Sequence, residues 1–245
     1  MRMGRGRSPY RRLKEEAFLA NLEIPARGLA VYTWGNVSAF DSGLGVYAIK
    51  PSGVPYGELT EDAMVVVDLE GNIVEGTLRP SSDSPTHLAL YQAFPSWGGA
   101  PIRGIIHTHS PYAVAWAQAC RPVPVLGTTH ADHAPCPIPC APYLSPEAVE
   151  RDYEAETGHL IVETLRKLTH DPHELSMILV AGHGPFAWGE CAEKAVYNGV
   201  VLEEVCRMAY LTRELAEGPV QLPDHIIAKH YARKHGPGAY YGQGK

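Results

Sequence analysis

Two histidines separated by a single residue follow a short apolar run, and this arrangement constrains the chain most. Residues 104–110 read Gly-Ile-Ile-His-Thr-His-Ser, with His107 and His109 at the end of a segment typical of a β-strand. Side chains two residues apart on a strand point to the same side. We therefore expect both imidazoles to face one space at the end of a strand, as two nitrogen ligands of one metal ion do.

A third histidine has a similar setting. His183 follows the apolar residues 177–181 and stands between Gly182 and Gly184. A lone histidine in a core strand is more often a structural residue than a ligand, but three such histidines favour a metal site. Three protein ligands with room for a fourth are typical of catalytic rather than structural zinc. Nitrogen-rich ligation favours Zn²⁺, with Mn²⁺, Co²⁺ and Ni²⁺ as alternatives.

The composition is that of an ordinary globular domain. The chain has 245 residues, of which 45% are hydrophobic and 20% charged, and its net charge of −6 disfavours nucleic-acid and membrane-surface binding. No apolar run is long enough to span a bilayer. The odd number of cysteines, five, favours reduced thiols, so we predict a cytoplasmic protein. Residues 1–12 carry five arginines and are predicted to be a flexible basic extension, with an anion-docking arm as the alternative.

Strands and helices are mixed without a regular βαβ rhythm. Ser84-Pro85 and Ser145-Pro146 each predict a helix start, with Ser as the N-cap and Pro at the first helical position. Predicted strands cover residues 31–40, 46–49, 64–69, 104–109, 123–126, 177–180 and 186–189, with a hairpin turn at 70–72. Predicted helices cover residues 13–22 (stopped before Pro25), 84–94, 112–120, 145–168 (with a break at Gly158), 190–215 and 223–234. Residues 13–245 are thus expected to form one α/β domain, a mixed central sheet with helices on both faces.

Three small loops are rich in hydrogen-bond donors. They are residues 33–36 (Thr-Trp-Gly-Asn), residues 50–53 (Lys-Pro-Ser-Gly) and residues 80–86 (Pro-Ser-Ser-Asp-Ser-Pro-Thr), the last at a predicted helix N-terminus. Free backbone N–H groups and serine hydroxyls there suit an anion. Each loop alone could be a simple turn or helix cap, but together they favour an anionic sugar over a peptide. Asp83 is not needed for capping and is a candidate metal ligand or base.

Two further segments carry candidate acid–base groups. Asp132 follows Thr128-Thr129-His130-Ala131, where a carboxylate is a general acid or base or, equally often, a turn cap. His130 and His133 rank below His183 as extra ligands. The C-terminal residues 229–241 are basic and aromatic, and we expect them to reach a neighbouring subunit.

These motifs resemble the class II aldolase/adducin family of sugar-phosphate enzymes, from about residue 13 to residue 243. The histidine pair marks the superfamily. Within it, Thr128-Thr129-His130-Ala131-Asp132 and the ending Tyr240-Tyr241-Gly242-Gln243 are similar to the L-ribulose-5-phosphate 4-epimerase branch. The chain departs from the pattern in a longer loop at residues 100–104 and in residues 133–136, which replace the usual aromatic segment.

The resemblance implies a set of functional residues. His107, His109 and His183 would bind Zn²⁺, with Asp83 as a fourth, exchangeable ligand, and Asp132 and Tyr241 would be the acid–base pair. Tyr241, His230 and Arg233 would come from the adjacent subunit of a four-fold homotetramer. The substrate-binding residues would be Gly35, Asn36, Lys50, Ser52, Gly53, Ser81, Ser82, Thr128, His230 and Arg233.

The resemblance also implies a reaction. The enzyme would convert L-ribulose 5-phosphate to D-xylulose 5-phosphate by breaking the C3–C4 bond, turning the glycolaldehyde phosphate fragment and re-forming the bond with C4 inverted. Zinc would stabilise the enediolate. One alternative is a class II aldolase that releases the aldehyde. Two others are a non-catalytic adducin-like interaction module, which need not keep the histidines, and an unrelated zinc hydrolase, which does not explain the phosphate loops.

Overall fold

The fold is built on a single eight-stranded sheet. The computed structural model describes residues 8–218, 220–235 and 239–240. The strands are β1 (Asn36–Asp41), β2 (Val46–Ile49), β3 (Val65–Asp68), β4 (Ile73–Glu75), β5 (Gly104–His107), β6 (Cys140–Ala141), β7 (Met177–Val180) and β8 (Gly184–Gly189). Their order across the sheet is β4-β3-β2-β1-β5-β8-β7-β6. The pairs are antiparallel except β6 with β7, which confirms the predicted mixed sheet.

The register of the central strands brings the polar motifs to one end of the sheet. His107 ends β5 and lies opposite Asn36, the first residue of β1. On its other side His107 lies opposite Phe186 of β8. The donor-rich loop before β1 and the turn before β8 therefore flank the end of the histidine strand.

Seven α-helices accompany the sheet among the described residues. They are α1 (Arg11–Ala26), α2 (Ser84–Ala93), α3 (Pro111–Gln118), α4 (Thr128–Ala131), α5 (Pro146–Lys167), α6 (Ala192–Leu215) and α7 (Asp224–His235), in the part of the chain that the structure describes. Three short 3₁₀ helices, Tyr56–Glu58, Glu61–Ala63 and Phe94–Trp97, lie in the connections. No helix among the described residues is long and apolar enough to cross a membrane.

The helices lie on both faces of the sheet, as predicted. The side chain of Ile106 on β5 meets α6 at Gly199. The next residue, His107, points the other way and stacks on Phe186, whose ring contacts His87 of α2. Because neighbouring strand residues face opposite sides, α6 and α2 cover opposite faces. Helix α1 packs with α6, and α5 packs with α2.

Two predicted helix ends were wrong. Helix α1 continues through Pro25 to Ala26, because a proline in the last turn costs only one intrahelical hydrogen bond. Helix α2 begins at Ser84 itself, and its N-cap position is occupied by Asp83 without a side-chain capping bond. The Ser84 hydroxyl instead lies 2.7 Å from the hydroxyl of Tyr47. Neither Ser84 nor Asp83 therefore caps α2 through its side chain.

Among the other local predictions, one hairpin is confirmed and three element boundaries differ. The hairpin at residues 70–72 is confirmed, joining β3 to β4. Residues 31–35 are a turn-rich loop, so β1 is shorter than predicted. The predicted strand at 123–126 is reduced to one bridge, between Val123 and Ile138. Helix α5 is interrupted at Asp152 (φ −170°, ψ 96°) rather than at Gly158, because the Asp152 carboxylate accepts the backbone N–H of Ala155 and caps the following turns.

Candidate functional site: a histidine cluster beside a donor-rich pocket

The three predicted histidines converge. Their ligand nitrogens all lie within 4.8 Å of one another, and Nε2 of His107 is 3.1 Å from Nε2 of His109. His107 comes from the end of β5, His109 from the loop after it, and His183 from the turn between β7 and β8. Two nitrogens on one tetrahedral zinc at the usual bond length are about 3.3 Å apart. The pair therefore has the separation that metal ligands require.

Hydrogen bonds and burial prepare these rings for a cation. Nδ1 of His107 lies 2.9 Å from the carbonyl oxygen of Pro185, so it carries the proton and Nε2 keeps its lone pair. Burial lowers the pKa of His183 to about 4, and the neighbouring His107 adds to the shift. Burial lowers the pKa of His109 as well. His109 and His183 are therefore neutral near pH 7, as metal ligation requires.

Asp83 lies beside this cluster and is hydrogen-bonded to residues of two donor-rich loops. Its carboxylate accepts hydrogen bonds from Nδ2 of Asn36 at 2.6 Å and from the Ser81 hydroxyl at 3.5 Å. Burial opposes its charge, but three nearby histidines, His107 with the largest effect, and the hydrogen bond from Asn36 together hold the pKa of Asp83 below its ordinary value. Asp83 is therefore an anion one hydrogen bond away from the predicted phosphate site.

The three donor-rich loops meet in one pocket. It has a volume of about 400 Å³ and opens directly onto the histidine cluster. It includes every substrate-binding residue predicted from the three loops. The lining residues are Thr33, Trp34, Gly35, Asn36, Lys50, Pro51, Ser52, Gly53, Ser81, Ser82, Asp83, His109, Tyr153, Glu154 and His183.

Lys50 supplies the positive charge of this pocket. Its side chain is buried, its Nζ lies 3.4 Å from the carbonyl oxygens of Thr33 and Pro51, and it sits 5.0 Å from the centre of the Tyr56 ring. Burial lowers the pKa of Lys50. A desolvated ammonium group with only long contacts to carbonyl oxygens is well suited to receive an anion.

Tyr153 and Glu154 line the pocket although no pattern in the sequence marked them as site residues. The interruption of α5 at Asp152 turns both toward the pocket, and the Tyr153 hydroxyl lies 3.4 Å from Nδ1 of His183. The sequence pattern around Arg151-Asp152-Tyr153 predicts an uninterrupted helix. The available signal was Asp152, a good N-cap residue inside a helical stretch.

The remaining predicted site residues lie together elsewhere in the chain. Asp132 accepts hydrogen bonds from Nε of Arg233 at 2.8 Å and from Nδ1 of His230 at 3.0 Å, both on α7. Thr128 is exposed at the start of α4. None of these four lines the histidine pocket of the same chain. Tyr241 lies outside the described residues.

Comparison with known proteins agrees with this geometry. A sequence profile described as Class II Aldolase and Adducin N-terminal domain matches residues 15–210. The L-ribulose-5-phosphate 4-epimerase UlaF of Salmonella paratyphi A is 52% identical over 232 residues, which cover 95% of this chain and 99% of that protein. UlaF of Salmonella typhi matches equally well. A solved L-fuculose 1-phosphate aldolase has a TM-score of 0.73 at 27% identity, covering 91% of this chain and 95% of that one.

The profile spans most of the domain, and the relatives match over nearly their whole length. The histidine cluster and all three donor-rich loops fall inside the matched region. The chain therefore belongs to the class II aldolase and adducin family.

Proposed function

We propose that this chain is an enzyme that interconverts L-ribulose 5-phosphate and D-xylulose 5-phosphate by inverting C4. The observation that carries the proposal is that three histidine nitrogens converge beside a donor-rich pocket of sugar-phosphate size. The near-full-length similarity to proteins named L-ribulose-5-phosphate 4-epimerase supports this substrate and this reaction.

The metal we propose is Zn²⁺, one per subunit, on His107, His109 and His183, with Asp83 as an exchangeable fourth ligand. All-nitrogen ligation from three histidines and the short His107–His109 separation support zinc over Mg²⁺ or Ca²⁺, which prefer oxygen. When bound, such a cation supplies Lewis-acid stabilisation of negative charge on the sugar oxygens.

The donor-rich pocket would hold the phosphate. Amide, hydroxyl and backbone N–H groups would bind the phosphate oxygens, and Lys50 would offset their charge. Anchoring the phosphate keeps the glycolaldehyde phosphate fragment in place after the C3–C4 bond breaks, so the fragment turns rather than leaves. The residues proposed for this role are Gly35, Asn36, Lys50, Ser52, Gly53, Ser81 and Ser82.

Proton transfer would fall to Asp132 and Tyr241, one on each face of the aldehyde. C4 carries no acidic proton, so its inversion needs bond cleavage and a proton donor or acceptor for the C4 oxygen on either side. Within one chain, Asp132 pairs with His230 and Arg233 away from the described pocket. This separation supports a site completed by an adjacent subunit, in the homotetramer that the family resemblance implies. Because Asp132 is paired with His230 and Arg233 of its own chain, the adjacent subunit would bring these residues together with Tyr241, and Thr128 would contribute beside Asp132.

A coupled assay for D-xylulose 5-phosphate tests the reaction. Tyr241→Phe should lower epimerisation severely and leave the zinc content unchanged, because the hydroxyl is proposed to move a proton and not to bind metal. Loss of zinc in that variant would show the assigned role to be wrong. His109→Asn is the matched comparison and should reduce metal content and activity together. Full activity of the metal-depleted wild-type protein would show that the reaction does not need the metal.

The second candidate is an aldolase that releases its aldehyde, favoured by the structural similarity to L-fuculose 1-phosphate aldolase. Both reactions need the same pocket and the same bond cleavage. Product analysis separates them, because an epimerase returns a pentulose phosphate and an aldolase accumulates glycolaldehyde phosphate. Net cleavage would decide for the aldolase.

A further inference from the structure

Helix α3 connects the two loops that carry His109 and His183. It begins at Pro111, two residues after His109. Near its other end, the carbonyl oxygen of Ala117 accepts the backbone N–H of Gly182, the residue before His183. A shift of α3 would therefore move both ligand loops at once.

The N-terminus of α3 is not capped by its own segment. Ser110 occupies the N-cap position without a side-chain capping bond. Instead, the two carboxylate oxygens of Glu203, on α6, accept the backbone N–H groups of Tyr112 at 3.0 Å and Ala113 at 2.8 Å. Glu203 is only 8% exposed. A carboxylate that accepts two N–H bonds at the positive end of a helix is a strong, charge-assisted anchor.

His109 depends on such an anchor more than the other ligands do. His107 is buried and stacked on Phe186, whereas His109 is more exposed to solvent. The centroid of the His109 ring lies 4.9 Å from that of His107, 5.4 Å from that of His183 and 6.1 Å from that of Trp34. Two of these three neighbours are the other proposed ligands, so the backbone on either side of His109 contributes to the position of its ring. Strand β5 fixes the N-terminal side, and α3 fixes the C-terminal side.

We propose that Glu203 is a positioning residue for the metal site, holding α3 so that His109 and His183 stay at ligand distance from His107. The inference rests on the metal-binding part of the proposed function and not on the reaction catalysed. A second α3–α6 bond, from Nε1 of Trp116 to the carbonyl oxygen of Cys206 at 3.0 Å, lies farther from His109. It provides a matched control.

The test measures metal affinity by chelator competition and the visible spectrum of the Co²⁺-loaded protein. Glu203→Gln keeps the shape but places an amide N–H against a backbone N–H. It should weaken metal binding by about 10-fold, the lower end of the cost of losing a group hydrogen-bonded to a ligand, because Glu203 acts on the ligands through α3, and it should change the Co²⁺ spectrum. Trp116→Phe removes the other bond, one residue before Ala117, and should weaken metal binding less than Glu203→Gln does, because Glu203 still anchors the end of α3 next to His109. Glu203→Asp, which keeps the charge but is shorter, should show the same effect in smaller degree and serves if Glu203→Gln does not fold.

Unchanged metal affinity in a folded Glu203 variant would overturn the proposal. So would equal losses of affinity in the Glu203 and Trp116 variants, because these would follow from general destabilisation. Wild-type affinity and epimerase activity test the proposed function separately, since the inference concerns only the ratio between variant and wild type.

Discussion

Replacing Gly35 with alanine should damage the metal site through the backbone. Gly35 has φ +77°, and a Cβ there would lie 2.9 Å from the carbonyl oxygen of His107. Gly45, in the β1–β2 turn, has a similar φ of +65° but open space around the added carbon. The two substitutions therefore share the left-handed strain and differ in the contact with His107.

The magnitudes follow from these two contributions. An alanine in the left-handed region costs about 1–2 kcal/mol at either position. The contact with a backbone oxygen, which cannot rotate away, adds about 1–3 kcal/mol at Gly35 alone, as overpacking does elsewhere. We expect Gly45→Ala to lower the free energy of unfolding by about 1–2 kcal/mol and Gly35→Ala by about 2–5 kcal/mol.

Urea denaturation of the metal-free variants measures this difference, and chelator competition measures their metal affinity. Gly35→Ala should also bind metal more weakly, because relief of the contact displaces the backbone of His107. Gly45→Ala should bind metal like wild type. Equal losses of stability in the two variants, with equal metal affinity, would refute the reasoning.

Two further predictions concern Asp132 and the cysteines. Burial opposes the charge of Asp132, but hydrogen bonds from Arg233 and His230 hold its pKa below the ordinary value. The ionised Asp132 therefore stabilises the folded state at pH values above the unfolded pKa of about 3.9. This stabilisation is lost as the pH falls through the lower pKa of the folded state. Wild type should thus be more stable than Asp132→Asn at pH 7 in urea denaturation, and the gap should close in strong acid; a constant gap would contradict this. Cys206 is buried, which raises the pKa of its thiol, whereas Cys120 is exposed. Mass spectrometry should therefore find Cys120 labelled by a thiol reagent in the native protein and Cys206 labelled only after unfolding. Labelling of Cys206 in the native protein would argue against this burial.

The strand that carries the histidines was predictable because its pattern is local. An apolar run before His107 and before His183 determines β5 and β7. The predicted strand over residues 104–109 was too long, because β5 ends at His107 and His109 lies in the following loop, yet the two rings still come together. The interruption of α5 was not predictable in this way. Asp152 fits a continuous helix as an ordinary polar residue, and only its capping bond to Ala155 redirects the chain.

The roles of other residues depended on contacts between distant segments. The sequence marked Asp83 as a candidate metal ligand or base, but it did not reveal the hydrogen bond that Asp83 accepts from Asn36, 47 residues away. Glu203 has no sequence signal at all, because it caps a helix from another helix, 90 or 91 residues away from its partners.

The sequence by itself determined the ligand types, the donor-rich loops and the mixed α/β class, because residue chemistry and short-range periodicity are written along the chain. The tertiary structure alone decided that three loops share one pocket, that Tyr153 faces His183, and that Asp132 pairs with α7 instead of the histidines. The physical reason is that sheet order and helix packing set these distances. Both arise from burying apolar faces that are remote in sequence.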